Sequence, residues 1–279
     1  MIKTVKKILI MSGLTVFICC LFMLPITITA QNVEKQPDGY WRVGLECGKS
    51  SPFEVKGDIP EQIRAGNQVS DYHDYDYYYY YPKNIEVNRE HVSWLAGIKA
   101  EYAFGNGHFG IASGLRISGL RYSLSSPYKY LLWKIAQDDV YTDYVRLDRI
   151  CQTNYSLGLP VELRIYPRNA KKFVKHYFKI GASFNCLLST NNDIKFYDKK
   201  MEHYKNAIEE KFVSPSPFNA NIYSSYGIHL GKEIHAGMEI ILPGFVVGKN
   251  INSFVQSYSE LGIRFSVDVP LYLLQKQKQ

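Results

Sequence analysis

Val92-Ser93-Trp94-Leu95-Ala96-Gly97-Ile98-Lys99-Ala100-Glu101-Tyr102-Ala103-Phe104 decides how this chain is read. Its even positions carry Val92, Trp94, Ala96, Ile98, Ala100, Tyr102 and Phe104, whereas the odd ones include Ser93, Gly97, Lys99 and Glu101. A strand puts residues i and i+2 on one face, so Lys99 and Glu101 share a side that the large apolar residues avoid. Such sorting suits a sheet with lipid on one face and a crowded polar interior on the other.

Seven further stretches sort the same way. Upstream, Trp41, Val43, Leu45 and Cys47 oppose Arg42, Gly44, Glu46 and Gly48. Downstream the pattern returns in 109–118, 155–166, 177–188, 218–230, 234–242 and 260–271. Segments of about nine to fourteen residues match the roughly 9 to 11 that a tilted strand needs to cross hydrocarbon. The connections alternate in length. Gly105-Asn106-Gly107-His108, a basic connector with Arg168, Lys171, Lys172 and Lys175, and Gly231-Lys232-Glu233 are short, whereas a tyrosine-rich stretch before Val92, a polar loop through 138–148 and a charged loop through 191–217 are long, and a medium loop precedes Glu260. This layout predicts an all-β fold: an eight-stranded antiparallel up-and-down transmembrane β-barrel with long extracellular loops and short periplasmic turns, both termini on the short-turn side.

The inward parity collects the cations Arg42, Lys99, Arg116, Arg164, Lys179 and Arg264 and the anions Glu46, Glu101, Glu162, Glu239, Glu260 and Asp268. A formally neutral interior network is what a narrow lumen demands, because an unpaired buried ion keeps a desolvation penalty of several kcal/mol. Eight strands leave room mainly for side chains, so a plugged or very narrow lumen is expected. Alternation alone also fits a soluble β-sandwich or a lipocalin-like barrel with the charged face in water. Two features put lipid outside: the charged face is rich in Gly, Ser and Ala, as a cramped interior would be, and Trp41, Phe104, Phe109, Phe178 and Phe218 sit near strand ends.

The first thirty residues open on Lys3, Lys6 and Lys7, run apolar from Ile8 to Leu24 and reach Ala30 before Gln31. They read as a secretory signal peptide over 1–30, against the alternative of an anchor helix. Cys19 and Cys20 lack the small preceding residues of a lipobox. An N-terminal extension (31–39), the barrel domain (40–272) and a C-terminal tail (273–279) complete the expected organisation. Without the three leader lysines the formal charge of +7 falls to +4, too mild for a nucleic-acid partner. Cys47, Cys151 and Cys186 form no CxxC and are odd in number, which indicates neither a disulfide framework nor a zinc site. Tyrosine is the outlier at 23 residues, in keeping with aromatic girdles at the two water boundaries.

The last strand, Glu260-Leu261-Gly262-Ile263-Arg264-Phe265-Ser266-Val267, resembles the β-signal of outer-membrane proteins, which the barrel assembly machinery reads. The region from Trp41 to Leu271 resembles the small outer-membrane β-barrel domain family of Gram-negative bacteria, of the OmpA/OmpX or PorT kind. Leu157-Gly158-Leu159-Pro160-Val161-Glu162-Leu163 is similar to the family's recurrent Pro-bearing strand. The chain departs from the usual aromatic C-terminus, ending in Leu273-Leu274-Gln275-Lys276-Gln277-Lys278-Gln279. The resemblance implies export to the cell outer membrane and contact with its lipid and lipopolysaccharide.

Other motifs carry less. Gly44-Leu45-Glu46-Cys47-Gly48-Lys49-Ser50 looks like the end of a P-loop, but it is one residue short between its glycines and no helix pattern follows. His229 and His235 have no partner at metal-ligand spacing, so interior hydrogen bonds are the expected use and no cofactor or metal is implied. Between Asp71 and Tyr81, Tyr72, Tyr75, Tyr77, Tyr78, Tyr79, Tyr80 and Tyr81 offer rigid amphipathic rings beside acids, suited to an extracellular protein, glycan or lipopolysaccharide, or else to stacking above the membrane. His73, Asp74, His91 and His203 are the only loop candidates for catalysis, and no spacing links them to a nucleophile. The chain is therefore expected not to be an enzyme. Its expected role is structural or surface-interacting through extracellular loops, with a narrow pore as the alternative and a loop-based enzyme acting on lipid or peptide as the second.

Overall fold

The computed structural model describes residues 39–56, 63–66, 87–104, 108–127, 130–137, 142–167, 173–231, 234–248, 250–255 and 257–272. The leader, the extension up to residue 38 and the tail over 273–279 lie outside them. Among the described residues ten strands form: β1 (Gly39–Lys56), β2 (Ile63–Gly66), β3 (Asn88–Phe104), β4 (Phe109–Ser125), β5 (Tyr130–Gln137), β6 (Thr142–Ile165), β7 (Val174–Phe196), β8 (Phe218–Leu230), β9 (His235–Val247) and β10 (Ser257–Pro270). A 3-10 turn (Lys199–Tyr204) and a short helix α1 (Lys205–Glu209) separate β7 from β8.

Eight of the strands close a ring in the order β1, β3, β4, β6, β7, β8, β9, β10 and back to β1. Every neighbour is antiparallel, and β10 meets β1 with Val267 opposite Leu45 and Arg264 opposite Gly48. Closure satisfies the backbone groups that an open edge would leave bare, which hydrocarbon could not solvate. The connections from β3 to β4, β6 to β7 and β8 to β9 are short and lie at one end of the cylinder. Just past β8, Gly231 takes φ of +121°, a conformation that side-chain-bearing residues rarely adopt.

The exterior is apolar. Ile98, Ile111, Leu159, Val161, Ile180 and Ile263 are all close to half exposed, while their strand neighbours Lys99, Glu162, Lys179 and Arg264 are buried. On β6 the apolar exterior runs from Tyr155 to Ile165, ten steps of ~3.3 Å, which a tilt of ~40–45° turns into a band ~25 Å tall. Aromatic rings sit at its rims: Trp41, Tyr102 and Phe104 with Phe178 and Tyr226 at the short-turn end, and Trp94 against Tyr155 at the other. The chain thus has the belt and girdles of a transmembrane barrel.

Beyond that belt the structure departs from expectation. The stretch read as a polar loop over 138–148 includes the start of β6, which pairs with β5, and β2 adds a further strand beside β5. The stretch read as a charged loop over 191–217 holds the end of β7, the 3-10 turn and α1, and β9 runs on to Val247 where a medium connection was expected. Tyr130–Gln137 reads YLLWKIAQ, a near-continuous apolar run without alternation. Leu131 and Trp133 are buried while Tyr130, Leu132 and Lys134 are only partly covered, so burial alternates along β5 although residue type does not, and no period of two marks it in the sequence. The P-loop look-alike lies inside β1, as the missing helix pattern required.

Candidate functional site

Inside the belt, all twelve ionic residues assigned to the inward parity are no more than 8% exposed. Ten of them meet in one connected set of ion pairs. Arg116 engages both carboxylate oxygens of Glu46 and also bonds Glu162. Arg164 reaches Glu101 at 2.8 Å and stands 3.6 Å from Asp268, which Lys99 holds at 2.9 Å. Lys179 bonds Glu239 and lies 3.3 Å from Glu162, while Arg264 approaches Glu162 at 3.1 Å and Glu239 at 3.6 Å. The hydroxyls of Tyr166 and Tyr177 donate to Glu101 and Glu239 at 3.0 and 2.7 Å, and that of Tyr223 donates to Glu162. Since these contacts cross from β6 to β3, β4, β7, β9 and β10, and from β4 and β10 on to β1, they fill the cross-section of the barrel. The arrangement offsets desolvation through multiple partners per ion, which is what makes loss of one member costly.

Gly227 shows how tightly this interior is built. A Cβ there would lie 2.4 Å from the Tyr177 ring, so the ring that supports Glu239 needs a glycine beneath it.

Arg42 and Glu260 stand at opposite ends of this set. Arg42 bonds the Tyr40 hydroxyl, faces Glu101 across the β1–β3 pairing and sits near the short-turn rim. Close by, Lys175 is 3% exposed, with Nζ 2.8 Å from His235 Nε2, and His229 stacks on His235 while standing 3.5 Å from Asp268. Lys175 was assigned to the basic connector; it is an interior cation because β7 begins at Val174 and places it in parity with Tyr177 and Lys179. His235 Nε2 thus has an interior partner, but neither ring nitrogen of His229 has a hydrogen-bond partner among the described residues; the His229 ring is held by contact with those of Tyr177 and His235 instead of by the expected hydrogen bond.

At the other end, above Arg116 and Arg264, the lumen widens into a chamber of about 80 Å³. Its walls carry Ser50, Ser93, Ser156, Asn185 and Asn221, with Glu260 among them, and Ile251 belongs to its roof. Glu260 accepts from Ser50 at 2.6 Å, Ser93 at 3.1 Å and Asn221 at 2.8 Å.

The roof belongs to a second hydrophobic core that lies entirely beyond the belt. Tyr122 and Leu124 of β4, Leu131 and Trp133 of β5, Val145, Leu147 and Ile150 of β6, Ile194 of β7 and Ile208 of α1 pack there with Ile63, Phe254 and Val255. Phe254 stacks on Tyr122 at 5.7 Å and meets Phe212 edge-on at 5.4 Å, and Phe212 in turn meets Trp133 at 5.9 Å. Asn154 Nδ2 donates to the Ile251 carbonyl at 2.6 Å, and Gln152 both donates to Ser253 Oγ at 3.0 Å and accepts from its backbone N–H at 2.8 Å. These bonds fasten the segment 250–255 over the mouth. Lys199, Lys200, Glu202, Lys205 and Lys211 face outward. The polarity is thus inverted between the two halves, greasy outside in the belt and greasy inside in this head.

The tyrosines Tyr72, Tyr75 and Tyr77 to Tyr81, with His73 and Asp74, lie outside the described residues. His91 is a head residue, 7% exposed, its ring 6.1 Å from that of Tyr122, and burial pushes its imidazole down to about 4. His203 is exposed on the 3-10 turn, its ring against that of Tyr204. The structure does not bring His91 and His203 together. Among the described residues no group of three or more His, Cys, Asp or Glu is arranged to hold a metal ion.

No protein-family model matches the chain, and no curated protein does. Similar solved structures include the outer-membrane protein OprG from Pseudomonas aeruginosa, 7% identical with a TM-score of 0.39, covering 85% of this chain and 99% of that one. Outer Membrane Protein W of E. coli is 13% identical with a TM-score of 0.29, covering 85% and 100% of the two chains. Ail, the attachment invasion locus protein of Yersinia pestis, solved with the heparin analogue sucrose octasulfate, is 10% identical with a TM-score of 0.29, covering 84% and 99%. At these identities and scores the likeness says nothing of what this chain does.

Proposed function

We propose that this chain is an outer-membrane β-barrel of a Gram-negative cell, of the OmpA/OmpX or PorT kind, with a non-catalytic structural or surface-interacting role. In this reading the short turns face the periplasm and the head faces outward. The observation that carries it is the head itself: a folded, water-adapted core built from the extensions of β4, β6 and β7 and fastened across the mouth. A pore needs a continuous water path, whereas here the ion-paired set and the roof both obstruct the lumen. A rigid platform held above a lipid belt suits contact with lipopolysaccharide, an extracellular protein or a glycan. Insertion through the barrel assembly machinery, reading β10, is part of the same proposal.

Three measurements test it. The protein fractionates with outer membranes and migrates as a compact species on gels until boiled. A Lys205→Cys variant is labelled by a membrane-impermeant maleimide on intact cells, since Lys205 is half exposed on the head. Planar bilayers containing the purified protein show no stepwise conductance. Labelling only after cell disruption would reverse the orientation, and a stable open channel would favour the pore.

A further inference from the structure

We infer that the chamber beneath the head binds a small primary ammonium compound, with Glu260 as its counter-ion. Among the described residues, the other five carboxylates of the lumen stand within 4.0 Å of a lysine or arginine nitrogen, and Glu260 alone does not. The nearest luminal guanidiniums do not serve it: Arg116 is engaged by Glu46 and Glu162, and Arg264 by Glu162, Glu239 and Glu46. A carboxylate 8% exposed without a cation retains a desolvation penalty that a positively charged ligand would relieve.

The hydrogen-bonding capacity of the walls points the same way. Glu260 Oε2 already accepts from two serines, but Oε1 accepts only from Asn221. Asn154, 4% exposed, spends its amide N–H on the roof carbonyl, which leaves its Oδ1 without a partner; Asn221 Oδ1 is likewise unpartnered. Lys49, Arg116 and Arg264 also line the chamber, and Arg264 Nε is an unpartnered donor, but the charges of both guanidiniums are offset by Glu46, Glu162 and Glu239, which leaves the surplus acceptors grouped around Glu260. An alkylammonium head supplies three donors, one positive charge and no acceptor. A hard divalent cation is less suited, since such ions favour several carboxylate or carbonyl ligands and Glu260 is one acid alone. A neutral polyol would leave the charge uncompensated.

Size and access set the rest of the ligand. About 80 Å³ corresponds to roughly five waters, so a compound of a few heavy atoms fits, with Ser156 and Ser183 on hand for a hydroxyl. Ser50, Ser156, Ser183 and Glu260 keep 5–8% exposure where Arg164, Lys179 and Glu239 keep 0–1%, so the chamber is less sealed than the middle of the ion-paired set.

The test is calorimetric titration of the refolded full chain in micelles with ethanolamine, ethylene glycol, and calcium chloride as separate probes. Ethanolamine binds, ethylene glycol does not, and Glu260→Gln weakens ethanolamine by roughly tenfold or more, as loss of a partly buried charge pair does. Compact gel mobility before boiling reports that the variant is folded. Should it fail to fold, Ser156→Leu keeps Glu260 and fills the chamber, and is expected to abolish binding. Equal binding of ethylene glycol, unchanged affinity in either variant, calcium in place of ethanolamine, or no binding of ethanolamine would each overturn the inference.

Discussion

Arginine placed at successive depths on the outer face of β6 tests the orientation on which the reading depends. Leu159 is 49% exposed and lies four steps from Tyr155 along the ten-step belt, close to its middle. Leu163, 40% exposed, lies two steps from Ile165. At ~3.3 Å per step and a tilt near 45°, Leu163 sits ~7 Å from the belt centre. Leu159→Arg is therefore expected to cost about 2–4 kcal/mol, and Leu163→Arg roughly half of that, because the penalty falls toward the interfaces. Urea unfolding from phospholipid vesicles, followed through Trp41 and Trp94 emission, measures both. If the two variants cost the same, or neither costs anything, the exterior is not facing hydrocarbon, and the apolar side chains need another explanation.

Arg264→Ala deprives Glu162, Glu239 and Glu46 of a shared cation and is expected to cost about 3–5 kcal/mol, read as a lower urea midpoint. Trp133→Ala removes a side chain 2% exposed in the head core and is expected to cost about 3–5 kcal/mol there. Limited proteolysis should then cut the head while the barrel keeps its compact gel mobility. His91, held at about 4 in the folded chain against 6.5 when free, favours the neutral form on folding. Its contribution to head stability is complete above 6.5 and is lost as the pH falls from there through 4, so protease resistance of the head drops over that window and His91→Phe flattens the drop.

The ring was legible because each of its strands meets lipid on one side and polar matter on the other, and a period of two records that contrast. The head was not, for two reasons. β5 carries apolar residues on its partly covered face as well as on its buried one, and α1 is a single short turn of helix, so neither writes a period long enough to notice. A subtler signal was present in β4, where the apolar parity is odd over Phe109, Ile111, Leu115 and Ile117 and becomes even at Leu120, Tyr122 and Leu124. That switch marks where lipid gives way to water and the greasy side chains turn inward. Lys175 was missed only because β7 was started too late. The separation of Glu260 from the described lysines and arginines is a matter of three-dimensional position, which inward parity does not reveal.

Because β6 is one strand from the short-turn rim into the head, flanked by β4 and β7 with a register shift against β7 at Tyr155/Ser156, head and barrel share one spine. A tug on the head would load both flanking ladders along their length, in shear, instead of peeling bonds apart singly. The strength with which the head is held is thereby set by the whole wall.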